Sequence, residues 1–393
     1  MIMSQSPLIK IIRNEIIKQG PISFLRFMEL ALYHPEFGYY CSPRDKIGPK
    51  GDYDTSPSVH PIFATLLGKQ MLQMILVLQS EKEKIALIEF GAGEGTLCHG
   101  ILDYLQKSAP DIFSKVTYII IEKSLSFQAR QKEQLVHFYP NTVLWKDQMP
   151  ENQVGIILSN EFVDALPVHR MRFENQSLKE LYVDYQDNQF KELFQPPSAP
   201  PLLSYFDSVH TKPEKDGDCE INLAALDWMR EVGQSLRKGF VLTIDYGYPA
   251  HQIYHPSHNR GTFLCYYNHT VCEDPYTHIG EQDMTSHVDF TSLAKVGEAV
   301  GLQVSGFTDQ THFLMGLGIA TEMQTVADKM HESDNAQKNF LAMKELMAHD
   351  KMGKVFKVLI QEKGFTHSIA LDGLTFRAFP KDALMPLSQQ STF

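Results

Sequence analysis

A glycine-rich segment is the strongest chemical signal in this sequence of 393 residues. The run EFGAGEGTL, residues 89–97, joins a buried apolar stretch at 85–90 to a stretch with helical spacing at 96–107. Glycines let the backbone turn tightly and approach a ligand closely. The free N–H groups at the start of the helix then face that ligand. The segment therefore predicts a cofactor site at the first strand–helix junction.

The spacing of the glycines argues against a dinucleotide cofactor. Dinucleotide-binding enzymes use G-x-G-x-x-G, which would place the third glycine at Thr96, but here it comes one residue earlier, at Gly95. Glu122 ends the second expected strand, about thirty residues after Gly91, and can accept hydrogen bonds from both hydroxyls of a ribose. Asp147 follows the third strand and is placed to meet an adenine, although strand-end acids are also common surface residues.

Two carboxylates follow the fourth expected strand, in the segment SNEFVDALP at 159–167. Glu161 and Asp164 are three residues apart, so a helical turn would present both on one face. Ligands of open α/β sheets bind at this edge of the sheet. Together with Asn160, these side chains could bind a substrate. Alternatively, Asn160 caps a short helix and the two acids stabilise its positive N-terminus.

The elements that would position these residues follow an α/β rhythm. Continuous apolar strands alternate with helices, which indicates a parallel sheet covered on both faces. The strands are expected at 85–90, 116–122, 142–145, 154–160, 239–247, 302–308 and 354–362. The helices are expected at 61–78, 96–107, 124–135, 222–237 and 290–300.

The remaining segments lie outside this rhythm. Helical spacing also occurs at 8–18 and 22–33, and it is followed by a polar, proline-interrupted stretch up to residue 61. A hairpin-like stretch covers 168–194 and a proline-rich loop covers 195–201. The sequence predicts an irregular segment at 248–289 and a mostly helical insert at 311–350.

Composition excludes several classes of protein. Thirty-six basic against 47 acidic residues give a net charge of −11, which argues against nucleic-acid binding and suits a cationic partner. No apolar run approaches the roughly 18 residues that span a bilayer, and no secretory signal is visible, so membrane insertion is not expected. Five widely spaced cysteines without a CxxC pair fit a reducing cytoplasm.

A cluster of histidines and cysteines invites a zinc interpretation that we do not favour. Six histidines and two cysteines fall between residues 251 and 287. Pro249 and Pro256 prevent the first three histidines from sharing a regular helix, and neither CxxC nor HExxH is present. No metal is therefore expected.

Several irregular, aromatic and polar segments together carry a family resemblance. They are SNEFVDALP at 159–167, GDYDTSP at 51–57, TIDYGYP at 243–249, GTFLCYYNHTVCEDPY at 261–276 and IGEQDMTSHVDFTSLA at 279–294. With the G-x-G-x-G loop, these segments resemble the MidA family of methyltransferases that depend on S-adenosylmethionine (SAM). This family includes a mitochondrial complex I assembly factor that methylates an arginine of a complex I subunit. The resemblance extends from residue 24 to beyond residue 315.

The resemblance implies an α/β fold with a class I methyltransferase core. This core is a Rossmann-like sheet of seven strands, the last one antiparallel, with an N-terminal helical arm and a helical insert. We expect the arm and a lid loop at 1–60, the core at 61–310 with insertions at 168–220 and 248–289, the insert at 311–350, and the final strand and tail at 351–393.

The resemblance also assigns the site, with SAM as the cofactor. The expected cofactor residues are Glu89, Gly91, Ala92, Gly93, Gly95, Glu122, Asp147, Thr55, Ser56 and Pro57. Glu161 would orient the acceptor, with Asn160 and Asp164 beside it. The expected substrate or lid residues are Asp52, Tyr53, Asp245, Tyr246 and His287. For His287 a structural role competes with that of proton acceptor, and Asp289 suits a helix N-cap as well as a site.

The activity implied is methyl transfer to an arginine of a protein substrate, by resemblance a complex I subunit. Three alternatives stay open: a SAM-binding assembly factor that acts mainly by holding a partner protein, a NAD-dependent oxidoreductase, and a methyltransferase for small molecules. A homodimer is compatible with the resemblance. The location would be cytoplasmic, or the mitochondrial matrix if the source is eukaryotic.

Overall fold

A computed structural model describes residues 6–42, 44, 46, 48, 51–52, 55–79, 84–331, 333–349 and 352–384. Tyr53, expected in the lid, lies outside the described residues. The helices are α1 Pro7–Gln19, α2 Phe24–Tyr33, α3 Ser56–Val59, α4 Ile62–Leu78, α5 Thr96–Ser108, α6 Pro110–Phe113, α7 Leu125–Gln134, α8 Pro200–Val209, α9 Leu223–Ser235, α10 Ala250–Ile253, α11 Phe290–Ala299, α12 Gln310–Leu317, α13 Ile319–Ala327, α14 Asp334–Met347 and α15 Met352–Val355.

The strands belong to three sheets. They are β1 Ile22–Ser23, β2 Ile85–Phe90, β3 Val116–Ile121, β4 Val143–Lys146, β5 Gln153–Asn160, β6 His169–Glu174, β7 Ser177–Gln186, β8 Gln189–Gln195, β9 Gly217–Ile221, β10 Leu236–Tyr248, β11 Leu264–Tyr267, β12 Thr270–Cys272, β13 Asp283–Thr285, β14 Val288–Asp289, β15 Gln303–Asp309 and β16 Phe356–Lys363.

The central sheet has the order β4-β3-β2-β5-β10-β16-β15. Neighbours from β4 to β10 pair in parallel, whereas β16 runs antiparallel to both β10 and β15. The expected Rossmann-like sheet with a reversed final strand is therefore confirmed. The two-residue strand β14 pairs with the end of β10, which the sequence pattern did not predict.

Both faces of this sheet are covered, as the continuous apolar strands require. All six residues of β2 are buried. One face packs against α4, α5, α12 and α14 through side chains such as Phe63, Ile101 and Phe313. The other face packs against α9 and α11 through Met229 and Phe290. The alternation of strands and helices along the chain thus produces a rigid sheet whose strand ends can carry a site.

A second hydrophobic core joins the N-terminal arm to the insertions. Strand β1 pairs antiparallel with β7, with Ile22 opposite Val183, in a sheet of order β1-β7-β6-β9 with β8 on β7. The apolar faces of α1 and α2 pack against residues of both insertions, including Leu181 and Met284. The arm and the two insertions, which the sequence interpretation treated as separate segments, share one buried core.

Two local expectations were wrong. The segment 248–289, expected to be irregular, contains α10 and the antiparallel sheet β12-β11-β13. These strands have three or four residues, too few for a periodic signal. The loop expected at 195–201 ends earlier, because Pro200 opens helix α8, a position where the fixed φ and missing N–H of proline are tolerated. Within the described residues, no helix is both long and apolar enough to cross a membrane.

Candidate active site

The carboxyl ends of β2, β3, β5 and β10 meet at one edge of the central sheet because these strands are parallel. The glycine loop 91–95, Glu122, Glu161 and Asp245 lie directly at these ends. The fold therefore brings together the residues that the sequence placed after separate strands.

The glycine loop turns through conformations that favour glycine. Gly91, Gly93 and Gly95 have φ values of 69°, 53° and 86°. A Cβ added at Gly91 would lie 3.0 Å from Cβ of Phe162, so the loop packs tightly against the residue that follows Glu161. Ala92 is buried, and its carbonyl accepts a hydrogen bond from Gly95 N at 2.8 Å. Helix α5 begins at once and has no side-chain cap, so its first N–H groups are left for a ligand.

Glu89 supports this loop from within the sheet. It is 2% exposed, and Tyr118 donates a hydrogen bond of 2.8 Å from its hydroxyl to Oε2 of Glu89. Burial raises the pKa of Glu89 to about 7. A direct contact between Glu89 and the cofactor stays a prediction, because the contact in the structure is with Tyr118.

Glu122 lies one residue beyond β3. Its Oε1 accepts from Ser124 N at 2.7 Å, and its Oε2 accepts from Gln131 Nε2 at 3.3 Å. These bonds fix the direction of the carboxylate but leave acceptor capacity on both oxygens. Burial raises the pKa of Glu122.

A surface depression of about 610 Å³ includes Gln128, whose Nε2 donates to the backbone carbonyl of Glu122 at 2.8 Å. Its lining residues are Gln128, Trp145, Lys146, Asp147, Gln148, Met149 and Pro150. Asp147 is exposed on its rim, at the place expected for an adenine contact. The depression offers an indole ring, an amide and a carboxylate, which suits a flat nucleobase.

Glu161 has an unusual backbone and a held carboxylate. Its φ is 53°, in the left-handed region, where long side chains are uncommon. Its Oε1 accepts from Asn160 Nδ2 at 3.0 Å and from Ser56 N at 3.2 Å. Burial, with the charge of Asp245 nearby, raises the pKa of Glu161 to about 8.

Two buried acceptor atoms beside Glu161 lack a partner within the described residues. They are Oδ1 of Asn160 and Oδ1 of Asp164, on residues that are 7% and 4% exposed. Burial raises the pKa of Asp164 well above its usual range, and the charges of Asp245 and Asp283 add to this effect. Buried acceptors without donors are costly, so their presence here indicates a site for a ligand that donates hydrogen bonds.

Asp245 and Tyr246 also reach this site. Asp245 is fully buried, and its Oδ2 accepts from the backbone N–H groups of Phe162, Val163 and Asp164. Burial raises its pKa to about 7. Tyr246 packs on the ring of Phe356 with a centroid distance of 4.0 Å. Burial raises the pKa of Tyr246, with the nearby charges of Glu161 and Asp164 contributing.

The segment expected to act as a lid covers Glu161. Ser56 binds Glu161 through its backbone and donates from Oγ to Gln310 Oε1 at 3.1 Å. Ser58 Oγ accepts from Thr55 N at 2.9 Å, and Pro57 is buried in α3. These residues thus lie next to Glu161, and their expected contact with the cofactor stays a prediction.

Asp52 anchors the same loop. Its carboxylate accepts from Tyr39 Oη at 2.8 Å and from Asn268 N at 2.7 Å, and it also pairs with Arg44. With these partners, Asp52 ties the loop to the arm and to the 261–276 segment. These bonds anchor the loop at Asp52, and its expected role at a lid or substrate stays a prediction.

His287 follows Ser286, whose N–H donates to the backbone carbonyl of Asp164 at 3.0 Å. Its ring is 5.5 Å from that of Tyr248. Burial lowers its pKa to about 4, with contributions from the positive charges of His258 and Lys357. Asp289 is the N-cap of α11, where Oδ1 accepts from Thr291 N and Ser292 N. Within the described residues, no group of three or more acidic, histidine or cysteine side chains is placed to hold a metal ion.

Three residues near the site, Asp283, Tyr40 and Tyr33, are not predicted from the sequence. Asp283 is buried, and its Oδ1 accepts from Tyr40 Oη at 2.7 Å. Tyr33 donates to the carbonyl of Ala165 at 2.8 Å, next to Asp164. The aromatic residues of the arm and the 279–294 motif were visible in the sequence. However, about 240 residues separate Tyr40 from Asp283, so only the fold shows that they meet.

The residues present fit SAM, a positively charged nucleoside. The loop 91–95 has no space for a side chain at Gly91 and presents backbone N–H groups. Glu122 has a carboxylate with free acceptor capacity, and its contact with ribose hydroxyls stays a prediction, as does an adenine in the depression at 145–150. The amide oxygen of Asn160 has no partner in the described part of the chain and could accept a hydrogen bond from the ligand.

Comparisons with known proteins agree with this fit. Residues 66–308 match the model of a family described as "putative S-adenosyl-L-methionine-dependent methyltransferase". A Drosophila melanogaster relative named "Protein arginine methyltransferase NDUFAF7 homolog, mitochondrial" is 27% identical over 91% of this chain and 85% of its own. The Homo sapiens protein arginine methyltransferase NDUFAF7 is 24% identical over 89% of this chain and 82% of its own.

A solved structure resembles the whole chain. It is a Burkholderia thailandensis protein, described as a "likely methyl transferase" and bound to S-adenosyl-homocysteine. The two chains superpose with a TM-score of 0.84 at 29% identity, covering 98% of this chain and 100% of the other.

Proposed function

The chain belongs to this family of SAM-dependent methyltransferases, and on that premise we propose that it methylates an arginine side chain of a protein substrate. The choice of an arginine side chain as the acceptor rests on the carboxylate of Glu161. It lies at the end of β5 beside the glycine loop, with the free acceptors of Asn160 and Asp164 around it. The names of the relatives, protein arginine methyltransferases, support the same acceptor.

SAM, when bound, supplies a methyl group on a positively charged sulfur. The backbone of the glycine loop, Glu122 and the depression that includes Asp147 would hold it. The protein's part is then alignment, because holding two reactants in the correct geometry can contribute roughly 7–11 kcal/mol to the lowering of a barrier.

An arginine acceptor poses a specific problem that this site addresses. The guanidinium stays protonated in proteins, so its nitrogens are weak nucleophiles. Carboxylates can bind it with two parallel hydrogen bonds, which fix its plane and draw the positive charge away from the attacking nitrogen. A charge-assisted hydrogen bond of this kind contributes about 1.5–3 kcal/mol. Glu161 has a second oxygen for this role, because Asn160 and Ser56 both bind its Oε1.

The lid segment would exclude water from the acceptor. Ser56 covers Glu161 from one side, and the Asp52 anchor fixes the loop that carries it. A dry site strengthens the interaction between a carboxylate and a cation. The resemblance further proposes a respiratory complex I subunit as the substrate, a homodimer, and a location in the cytoplasm or, for a eukaryotic source, the mitochondrial matrix.

Transfer of labelled methyl from SAM into protein tests this proposal. The acceptor is a lysate from source cells that lack this chain, and Glu161→Gln is the matched variant. The proposal expects one or a few labelled proteins with the intact enzyme and strongly reduced labelling with the variant. SAM binding without label would instead favour a partner-holding assembly factor. Label on a small molecule would contradict a protein substrate.

A further inference from the structure

The backbone at Glu161 is held in a conformation that its side chain does not favour. Its φ of 53° lies in the left-handed region, which glycine, asparagine and aspartate adopt more readily than glutamate. Such backbone strain persists where the surroundings impose it, and it clusters at functional sites. The residues that impose it here are therefore part of how the site is built.

One buried carboxylate holds the turn that follows Glu161. Oδ2 of Asp245 accepts from Phe162 N at 3.2 Å, from Val163 N at 2.8 Å and from Asp164 N at 3.3 Å. Three consecutive N–H groups can converge on one oxygen only if the turn starts sharply after β5. The N–H of Glu161 itself donates to the carbonyl of Ile244, the residue before Asp245 on β10.

We propose that Asp245 is a positioning residue for the methyl-transfer reaction: it holds the 161–164 turn and thereby keeps the carboxylate of Glu161 directed at the acceptor. This inference rests on the proposed function and replaces the expected substrate or lid role of Asp245. The backbone binds both oxygens of the Asp245 carboxylate, because Tyr246 N donates to its Oδ1 at 2.9 Å. Asp245 is 0% exposed, so it acts through Glu161 rather than on the substrate.

The chain offers a matched control at the same sheet edge. Asp289 lies on β14, paired with Tyr248 of β10, and it is also buried. Its carboxylate accepts from two backbone N–H groups at the start of α11 and from Tyr205 Oη, none of which belongs to the 161–164 turn. Replacement of Asp289 therefore removes a buried, backbone-bound carboxylate without disturbing Glu161.

The test measures Asp245→Asn and the control Asp289→Asn, each alone. Each is then measured again in the Glu161→Gln background, as a double-mutant cycle. An asparagine has one acceptor oxygen and no charge, so it cannot serve both the three N–H groups and Tyr246. We expect Asp245→Asn to lower kcat for methyl transfer roughly 10- to 100-fold, the effect of weakened charge-assisted bonds. The Kd for S-adenosyl-homocysteine should stay within about threefold. In the Glu161→Gln background the same change should lower kcat by less than about threefold, because residues that act as a unit are not additive.

Other results would overturn the inference. If Asp245→Asn lowers kcat equally in both backgrounds, or no more than Asp289→Asn does, Asp245 does not act through Glu161. A second variant, Asp245→Ser, which replaces the carboxylate by a shorter hydroxyl, is measured in parallel. If neither variant folds while Asp289→Asn does, Asp245 is a general requirement of the fold and the inference fails. Failure of the proposed function is recognised separately, since the unmodified enzyme would then place no label on arginine.

Discussion

Replacement of Glu161 by glutamine perturbs the charge of the site and little else. Glutamine has the same length and retains an oxygen that can accept from Asn160 Nδ2 and Ser56 N. Its backbone preference at a φ of 53° matches that of glutamate. The variant therefore isolates the loss of a carboxylate that binds a cation.

The size of the effect follows from the contact that is lost. A hydrogen bond to a charged group contributes about 1.5–3 kcal/mol, and about 1.4 kcal/mol corresponds to a factor of ten in rate. We therefore expect kcat/KM for the protein acceptor to fall roughly 10- to 150-fold. The Kd for SAM should change little, because the glycine loop and Glu122 are unaltered.

The same replacement should raise the stability of the folded protein, although it lowers activity. Burial raises the pKa of Glu161 to about 8, above its unfolded value near 4.3. Between these pH values the folded state binds more protons than the unfolded state, so the wild type loses stability as pH rises through this window. Glutamine carries no such penalty. The melting temperature of Glu161→Gln should exceed that of the wild type by a margin that grows from about pH 5 to pH 8.

The assay is methyl transfer at pH 8 and saturating SAM, with the acceptor concentration varied. The control is Glu151→Gln, at an exposed glutamate, which should retain wild-type kinetics. A kcat/KM for Glu161→Gln within threefold of the wild type, in a variant that binds SAM, would refute the acceptor role of Glu161. A melting temperature below that of the wild type at pH 8 would refute the electrostatic argument.

Three further predictions concern the cofactor loop, the ribose carboxylate and pH. Gly91→Ala should weaken SAM binding and destabilise the fold by about 1–3 kcal/mol, because the φ of Gly91 is 69° and the added Cβ would lie 3.0 Å from Phe162. Calorimetric titration measures the binding and thermal melting measures the stability. Unchanged values would contradict the loop packing. Glu122→Gln should raise the Kd for S-adenosyl-homocysteine about tenfold, through loss of a charged acceptor; a Kd within twofold would exclude the ribose contact. Because Glu161 has a pKa of about 8 and must be ionised to bind a cation, kcat/KM should rise with pH up to about 8 and then level off. A flat pH profile of kcat/KM, or the same rise in Glu161→Gln, would assign the titration to another group.

The sequence predicted the parts of the site that depend on local order along the chain. The glycine loop, Glu122 and Glu161 each follow an apolar strand directly, and parallel strands bring their carboxyl ends to one edge. The reversed strand β16 was predicted through the family resemblance and is confirmed by its antiparallel pairing with β10.

Contacts between distant segments could not be predicted in this way. Asp245 was expected at the crevice, but its bonds to the 161–164 turn depend on the register between β5 and β10. The pairing of Tyr40 with Asp283 depends on the core that the arm shares with the insertions. Periodicity reports which face of an element is buried, not which distant element covers it.

The chemical identity of the methylated residue tests the central claim most directly. Protein labelled by this enzyme from methyl-labelled SAM is hydrolysed to amino acids, and the label is separated chromatographically. We predict label in methylarginine, dependent on both the enzyme and Glu161. Label in methyllysine or another amino acid, at a level that Glu161→Gln does not reduce, would contradict it.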